Sequence, residues 1–208
     1  FVPEEALGGL YEALLEAGLA LPEAHTLLDI TRCPGADTCN LAITRSRGLA
    51  QALEAHLATL PLAQDPGAKA IGVKISGCPN SCGQHHIADI GFYGSSRKVG
   101  EREVPHYVLL LGGRTREGEA RFGQVVGRLP ARRVPEAVER ILKRYLEERQ
   151  NGESFQAYLD RVGAASFKPL LQELQEVPPY EEAPEFYQDL GAEGEAFSVQ
   201  LGRGECAV

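Results

Sequence analysis

The sequence has no methionine and no tryptophan, only three asparagines, and five lysines beside sixteen arginines. Heat-adapted proteins and GC-rich genomes both produce this bias, so it excludes nothing by itself. A chain that opens on Phe1-Val2-Pro3 and lacks Met altogether is expected to be a processed, clipped or partly ordered piece of something longer. No charged segment leads into an apolar core at its start, so no signal peptide is read there. No apolar run approaches the roughly 20 residues needed to cross a bilayer, so no membrane span is expected. A basic excess is also lacking: 21 Lys and Arg face 29 Asp and Glu, a net charge of -8. That balance argues against a general nucleic-acid binder, because phosphate contacts need a basic surface. Gly112-Gly113 follows a strand-like run, but no G-x-G-x-x-G accompanies it, so a nucleotide site is not expected. A cytoplasmic location is the expectation that these absences leave.

What is present is an ordinary globular composition, 43% hydrophobic and 24% charged over 208 residues, enough for one large domain or two small ones. Charge is unevenly placed. Arg97 to Arg133 holds nine bases and four acids, whereas Pro169 to Gly202 holds eight acids and no base. The basic stretch, with Arg114, Arg116, Arg121, Arg128, Arg132 and Arg133, is therefore a candidate docking face for an acidic partner. Apolar periodicity predicts helices over Pro3 to Gly18, from Asp37 or Thr38 through Leu60, and over Pro135 to Arg149, with shorter ones near Phe155–Val162 and Leu170–Leu174. Strands are expected at Leu27–Thr31, Ala70–Ile75, Ile87–Phe92, Tyr107–Leu111 and Val125–Leu129. The segment after Val177, with Tyr180, Phe186, Tyr187 and Phe197 among prolines and glycines, reads as an arm lying across another surface.

Four of the five cysteines form two pairs, Cys33-x5-Cys39 and Cys78-x3-Cys82, each in a turn rich in Gly and Pro beside an expected strand end. Two disulfides would suit a small secreted domain without a core. Structural zinc usually shows tighter knuckles, and scattered buried thiols would not be expected to gather in turns. A cubane [4Fe-4S] cluster, whose four irons each take one thiolate, fits the spacing best. Such a cluster is anionic and gains from backbone N–H groups and a helix N-terminus, which Cys39 is expected to adjoin. Gly35, Gly77 and Gly83 would let the backbone come close. Cys206 fits no ligand spacing and reads as a free thiol.

Cys33-Pro34-Gly35-Ala36-Asp37-Thr38-Cys39-Asn40, Gly77-Cys78-Pro79-Asn80-Ser81-Cys82-Gly83-Gln84, Ala88-Asp89-Ile90-Gly91, Leu111-Gly112-Gly113 and Gly152-Glu153-Ser154-Phe155 together resemble, in order and spacing, the second half of siroheme-dependent sulfite and nitrite reductases of the assimilatory type. The resemblance covers about residues 28 to 163. It implies an α+β fold, a mixed β-sheet flanked by helices. Residues 1–26 would be the remainder of a ferredoxin-like half-module, 27–150 the [4Fe-4S] and siroheme-binding domain, and 151–208 a helical extension and tail. It implies that Cys33, Cys39, Cys78 and Cys82 hold the cluster and that Cys82 also ligates the siroheme iron. The expected reaction is the six-electron reduction of sulfite to sulfide or of nitrite to ammonia. Electrons would come from ferredoxin, and the N-terminal half of the same enzyme would supply most of the anion site.

Other residues carry weaker signals. His85 and His86 follow the last cysteine and are candidate proton donors, although a loop histidine pair is as readily structural. Asn80 could donate to a sulfide or to siroheme, or simply serve the turn. Thr31 and Thr38 could donate to sulfur or cap. Arg32, Arg45, Arg47 and Lys74 are the bases near the cysteine loops that could meet siroheme carboxylates, or be plain surface. The alternative function is a free-standing [4Fe-4S] electron-transfer subunit without siroheme.

Overall fold

A computed structural model describes residues 1–20, 23–115 and 118–199. Arg116 of the basic stretch and Cys206 lie outside the described residues. One sheet holds five strands in chain order: β1 (Thr31–Arg32), β2 (Val73–Ser76), β3 (Ile90–Val99), β4 (Arg102–Leu111) and β5 (Gln124–Pro130). β1, β2 and β3 run parallel, and the β3–β4 and β4–β5 pairs are antiparallel. The helices are α1 (Leu7–Glu16), α2 (Ser46–Ala58), α3 (Pro66–Lys69), α4 (Val134–Glu148), α5 (Phe155–Val162) and α6 (Lys168–Leu171). This is the expected α+β class with a mixed sheet.

Local chemistry accounts for the pattern. Parallel pairing of β1 with β2 needs a crossover, which α2 and α3 supply. β3 and β4 are joined by two residues, and Gly100 at φ +61 takes the left-handed conformation that so short a turn requires. Tyr107, Leu109 and Leu111 alternate onto one face of β4 and share a core with Ile75, Phe92, Leu49, Leu53 and Leu57. Val138, Ile141, Leu142 and Tyr145 recur at helical spacing and bring α4 into that core. Each such fully buried side chain stabilises the fold by about 1.5–3 kcal/mol. The opposite face of β4 carries Val104, which packs with Ala183, Phe186 and Tyr187.

Three expectations are corrected. The first strand pairs only at Thr31–Arg32, because the backbone of residues 23–29 is spent on turns and on the bond from Leu27 N–H to the Lys69 carbonyl; Leu27 and Ile30 are nonetheless buried. The second helix starts at Ser46, not near Asp37 or Thr38. Ile43 and Thr44 both donate to the Gly77 carbonyl, at 2.8 and 3.0 Å, and Ala36 donates to Thr44, so residues 36–44 fold back as a loop. The C-terminal segment lies across this chain's own sheet, with Phe186 and Tyr187 buried, because Val104 offers them an apolar face. By contrast Leu7, Leu10, Tyr11 and Leu15 of α1 are exposed and the helix buries no residue. Among the described residues no helix is long and apolar enough to cross a membrane.

Candidate metal centre

β1 and β2 are parallel neighbours, so their carboxyl ends lie side by side, and both cysteine loops leave from that edge. Cys33 directly follows β1, and its N–H donates to the Ile75 carbonyl of β2 at 3.2 Å. Gly77 follows β2, and its N–H donates to the Cys33 sulfur at 3.1 Å. The loops nest tightly: a Cβ on Gly77 would stand 2.6 Å from the Thr44 carbonyl oxygen and 2.9 Å from Gly35 Cα. Gly35, at φ +63, turns the first loop in the left-handed region. These glycines bring backbone against backbone, and the sulfur contact follows from that approach.

The four thiols differ in exposure. Cys78 is buried, Cys33 and Cys39 are half-buried, and Cys82 is exposed. Burial pushes the Cys78 thiol up; the N–H of Asn80 works against that by donating to it, and Cys33, Cys39 and Cys82 add further upward pushes. Among the described residues no three His, Cys, Asp or Glu side chains form a single-ion site. The donor set does fit a thiolate-bound cluster: four cysteines on two adjoining loops, with N–H groups of Gly77 and Asn80 directed at two of the sulfurs. The loop that carries Cys82 has two non-glycine residues at positive φ, Ser81 at 62 and Gln84 at 61, a backbone cost of the kind that concentrates at functional sites.

Cys39 sits in a turn, not at a helix N-terminus as expected; the start of α2 adjoins Cys33 instead. Ser46, its first residue, donates through Oγ to the Cys33 carbonyl at 2.7 Å and lies 3.4 Å from the Cys33 sulfur. A serine opening a helix was its only sequence signal. Thr31 and Thr38 are exposed and make no described bond to sulfur. Asn80 reaches Cys78 through its backbone, and within this turn Ser81, not Asn80, takes a positive φ.

His85 is fully buried, with Nδ1 2.8 Å from Ser76 Oγ, which also accepts from the Gly83 N–H. Among the described residues its Nε2 has no partner, and burial followed by the neighbouring His86 lowers its pKa to about 4. His86 is half-buried, 3.0 Å from Ser81 Oγ, and its ring lies against His85 and Phe122.

The bases separate. Lys74 reaches Gln84 in the Cys82 loop at 3.1 Å. Arg32 pairs with Glu54. Arg47 is exposed. Arg45 is turned toward Asp37, Glu195 and the Gly191 carbonyl. The expected docking face is largely neutralised within the chain: Arg114 and Arg121 share Asp160, Arg132 meets Glu193, and Arg133 meets Glu136. Arg128 is exposed. Sequence reasoning missed Asp189, which is buried and accepts from the Arg45 N–H at 2.7 Å and the Leu190 N–H at 2.9 Å. Burial pushes its carboxyl up to about 6, against those donors. No local pattern announces a partner 144 positions away.

The chain is 29% identical over 168 residues to the protein named sulfite reductase [ferredoxin] 1 of Mycolicibacterium paratuberculosis, covering 77% of this chain and 30% of that one. It is 32% identical over 140 residues to the sulfite reductase [NADPH] hemoprotein beta-component of Chromohalobacter salexigens, covering 63% and 21%. The solved structure of the Mycobacterium tuberculosis NirA protein superposes with a TM-score of 0.65 at 26% identity, over 78% of this chain and 30% of that one. The chain thus spans about a third or less of the length of these relatives. Of the cofactor pair expected from the sequence, the [4Fe-4S] cluster agrees with the description of the matching domain, and one relative is named a hemoprotein. The profile of the nitrite and sulphite reductase 4Fe-4S domain matches residues 23–178, and the chain belongs to that family.

Proposed function

We propose that this chain is the cluster-bearing part of a siroheme-dependent reductase that takes sulfite to sulfide or nitrite to ammonia by six electrons, in the cytoplasm, with ferredoxin as donor and with the N-terminal half of the enzyme completing the anion site. Cys33, Cys39, Cys78 and Cys82 would hold the [4Fe-4S] cluster, and Cys82 would also serve the siroheme iron. When bound, the two groups supply one-electron transfer and the metal site at which the anion is reduced. The observation that carries this reading is the exposure of Cys82 beside three more sheltered thiols on one sheet edge. A bridging thiolate must face open space large enough for a macrocycle, whereas the other ligands need only reach the cluster.

The chain's own residues do the rest. Gly77 and Asn80 direct N–H groups at ligand sulfurs and so stabilise negative charge there. Lys74 and Arg47 are the bases left to meet siroheme carboxylates, since Arg32 and Arg45 are engaged by acids of the chain. Oxygen leaves the substrate as water, so protons must arrive with the electrons; His86, half-buried and next to the loop, is the better placed of the two histidines to carry them. Ferredoxin is favoured as donor by the name of the mycolicibacterial relative. Visible spectra of the protein purified with iron and siroheme test this reading. Siroheme bands that change on Cys82→Ser are expected. A cluster spectrum with no siroheme bands would leave a free-standing electron-transfer subunit in its place.

A further inference from the structure

The C-terminal segment beyond Pro178 is outside the family match, yet it bonds directly to the end of the first cysteine loop. The buried Asp189 carboxylate accepts the N–H of Arg45, the residue at which the cysteine loop passes into α2. The Arg45 guanidinium returns the contact by donating to the Gly191 carbonyl at 3.1 Å and pairing with Glu195 at 3.6 Å. The same guanidinium lies 3.5 Å from Asp37, between Cys33 and Cys39. Gly48, in the first turn of α2, lies so close under the Leu190 carbonyl that any Cβ there would collide with it. Between segment and loop runs a cleft of about 330 Å³ lined by Cys39, Asn40, Ile43, Arg45, Asp189 and Glu195. The far end of the segment is also tied down: Phe197 N–H donates to the Tyr187 carbonyl and Val199 N–H to Glu103.

We propose that residues 179–199 are a strap that positions the Cys33–Cys39 half of the cluster site, with Asp189 as its positioning residue acting through Arg45. The loop between Cys33 and Arg45 contains a single 3-10 turn, Gly35–Asp37, and neither α-helix nor strand, so its shape depends on what holds its ends. β2 holds one side through Gly77, and the strap holds the other through Asp189. Because the strap closes one wall of the cleft beside Cys39, it also limits access of water, oxygen and chelators to that ligand.

The inference rests on the reading that Cys33 and Cys39 ligate the cluster, and the test separates the two. The full chain is loaded with iron and sulfide, and iron release to a ferrous chelator is followed together with the EPR spectrum of the dithionite-reduced protein. Two variants act on the strap by different routes: Asp189→Ala removes the acceptor, and Gly48→Ala lifts the Leu190 carbonyl without removing any polar group. Arg144→Ala, which removes the cation stacked 4.7 Å over Phe167, acts outside the strap and serves as control. Several-fold faster iron release and a changed EPR line shape are expected in both strap variants and not in the control. Release at the parent rate with an unchanged spectrum in a folded Gly48→Ala protein would overturn the strap. A parent protein that takes up no cluster would instead overturn the ligand reading beneath it.

Discussion

The Gly77 N–H lies 3.1 Å from the Cys33 sulfur, a bond from the end of β2 to the cysteine at the end of β1. It joins two loops far apart in sequence at the point where both would meet a metal cluster. Gly77→Ala should therefore fail at that point. Its Cβ would press on the Thr44 carbonyl and Gly35 Cα, both backbone atoms that cannot rotate away. A loss of about 1–3 kcal/mol is expected for forcing extra volume into a packed site, read from denaturant unfolding, along with poorer iron incorporation. An unchanged midpoint and full iron content would show that the loops are not locked there.

His85 and His86 should separate by kind of effect. His85 is fully buried and remains neutral at neutral pH. His85→Ala is expected to cost about 2 kcal/mol or more through the cavity it leaves. His86→Gln is expected to alter the pH–rate profile with little effect on unfolding. The reverse pattern would exchange their roles.

The acid limb of stability should depend on Glu153. Its bond to Arg161, together with the Gln150 N–H, lowers its carboxyl from 4.5 to about 2. A carboxylate whose folded pKa is depressed contributes stability that is fully present above the unfolded value and is lost as pH falls through the folded one. The contribution should therefore fade between about pH 4.5 and 2. Glu153→Gln should flatten that part of the curve in urea titrations at stepped pH; an unchanged slope would contradict it.

Arg121 is held by Asp160 at 2.5 Å. Arg121→Glu should lower stability by about 1 kcal/mol and slow reduction by ferredoxin and by methyl viologen alike. A loss confined to ferredoxin would restore the basic stretch as a docking face.

What was legible in the sequence was what is local. Val138, Ile141, Leu142 and Tyr145 announce α4 by spacing alone. The cysteine pairs stand out because Gly and Pro mark the turns that hold them. The start of α2 was misplaced because one distant carbonyl, that of Gly77, captures the N–H groups of Ile43 and Thr44. The surface on which the C-terminal arm lies was not legible for the same reason. The arm's partners, Val104 and Arg45, are fixed by folding and not by any pattern near Phe186 or Asp189.

The central claim is that Cys33, Cys39, Cys78 and Cys82 converge on one cluster. Iron and acid-labile sulfide analysis of the anaerobically prepared chain, beside its four single Cys→Ser variants, tests it most directly. About four iron and four sulfide per chain are expected, with a clear loss in each variant. Zinc without labile sulfide, or a full complement retained when any one of the four is replaced, would contradict it.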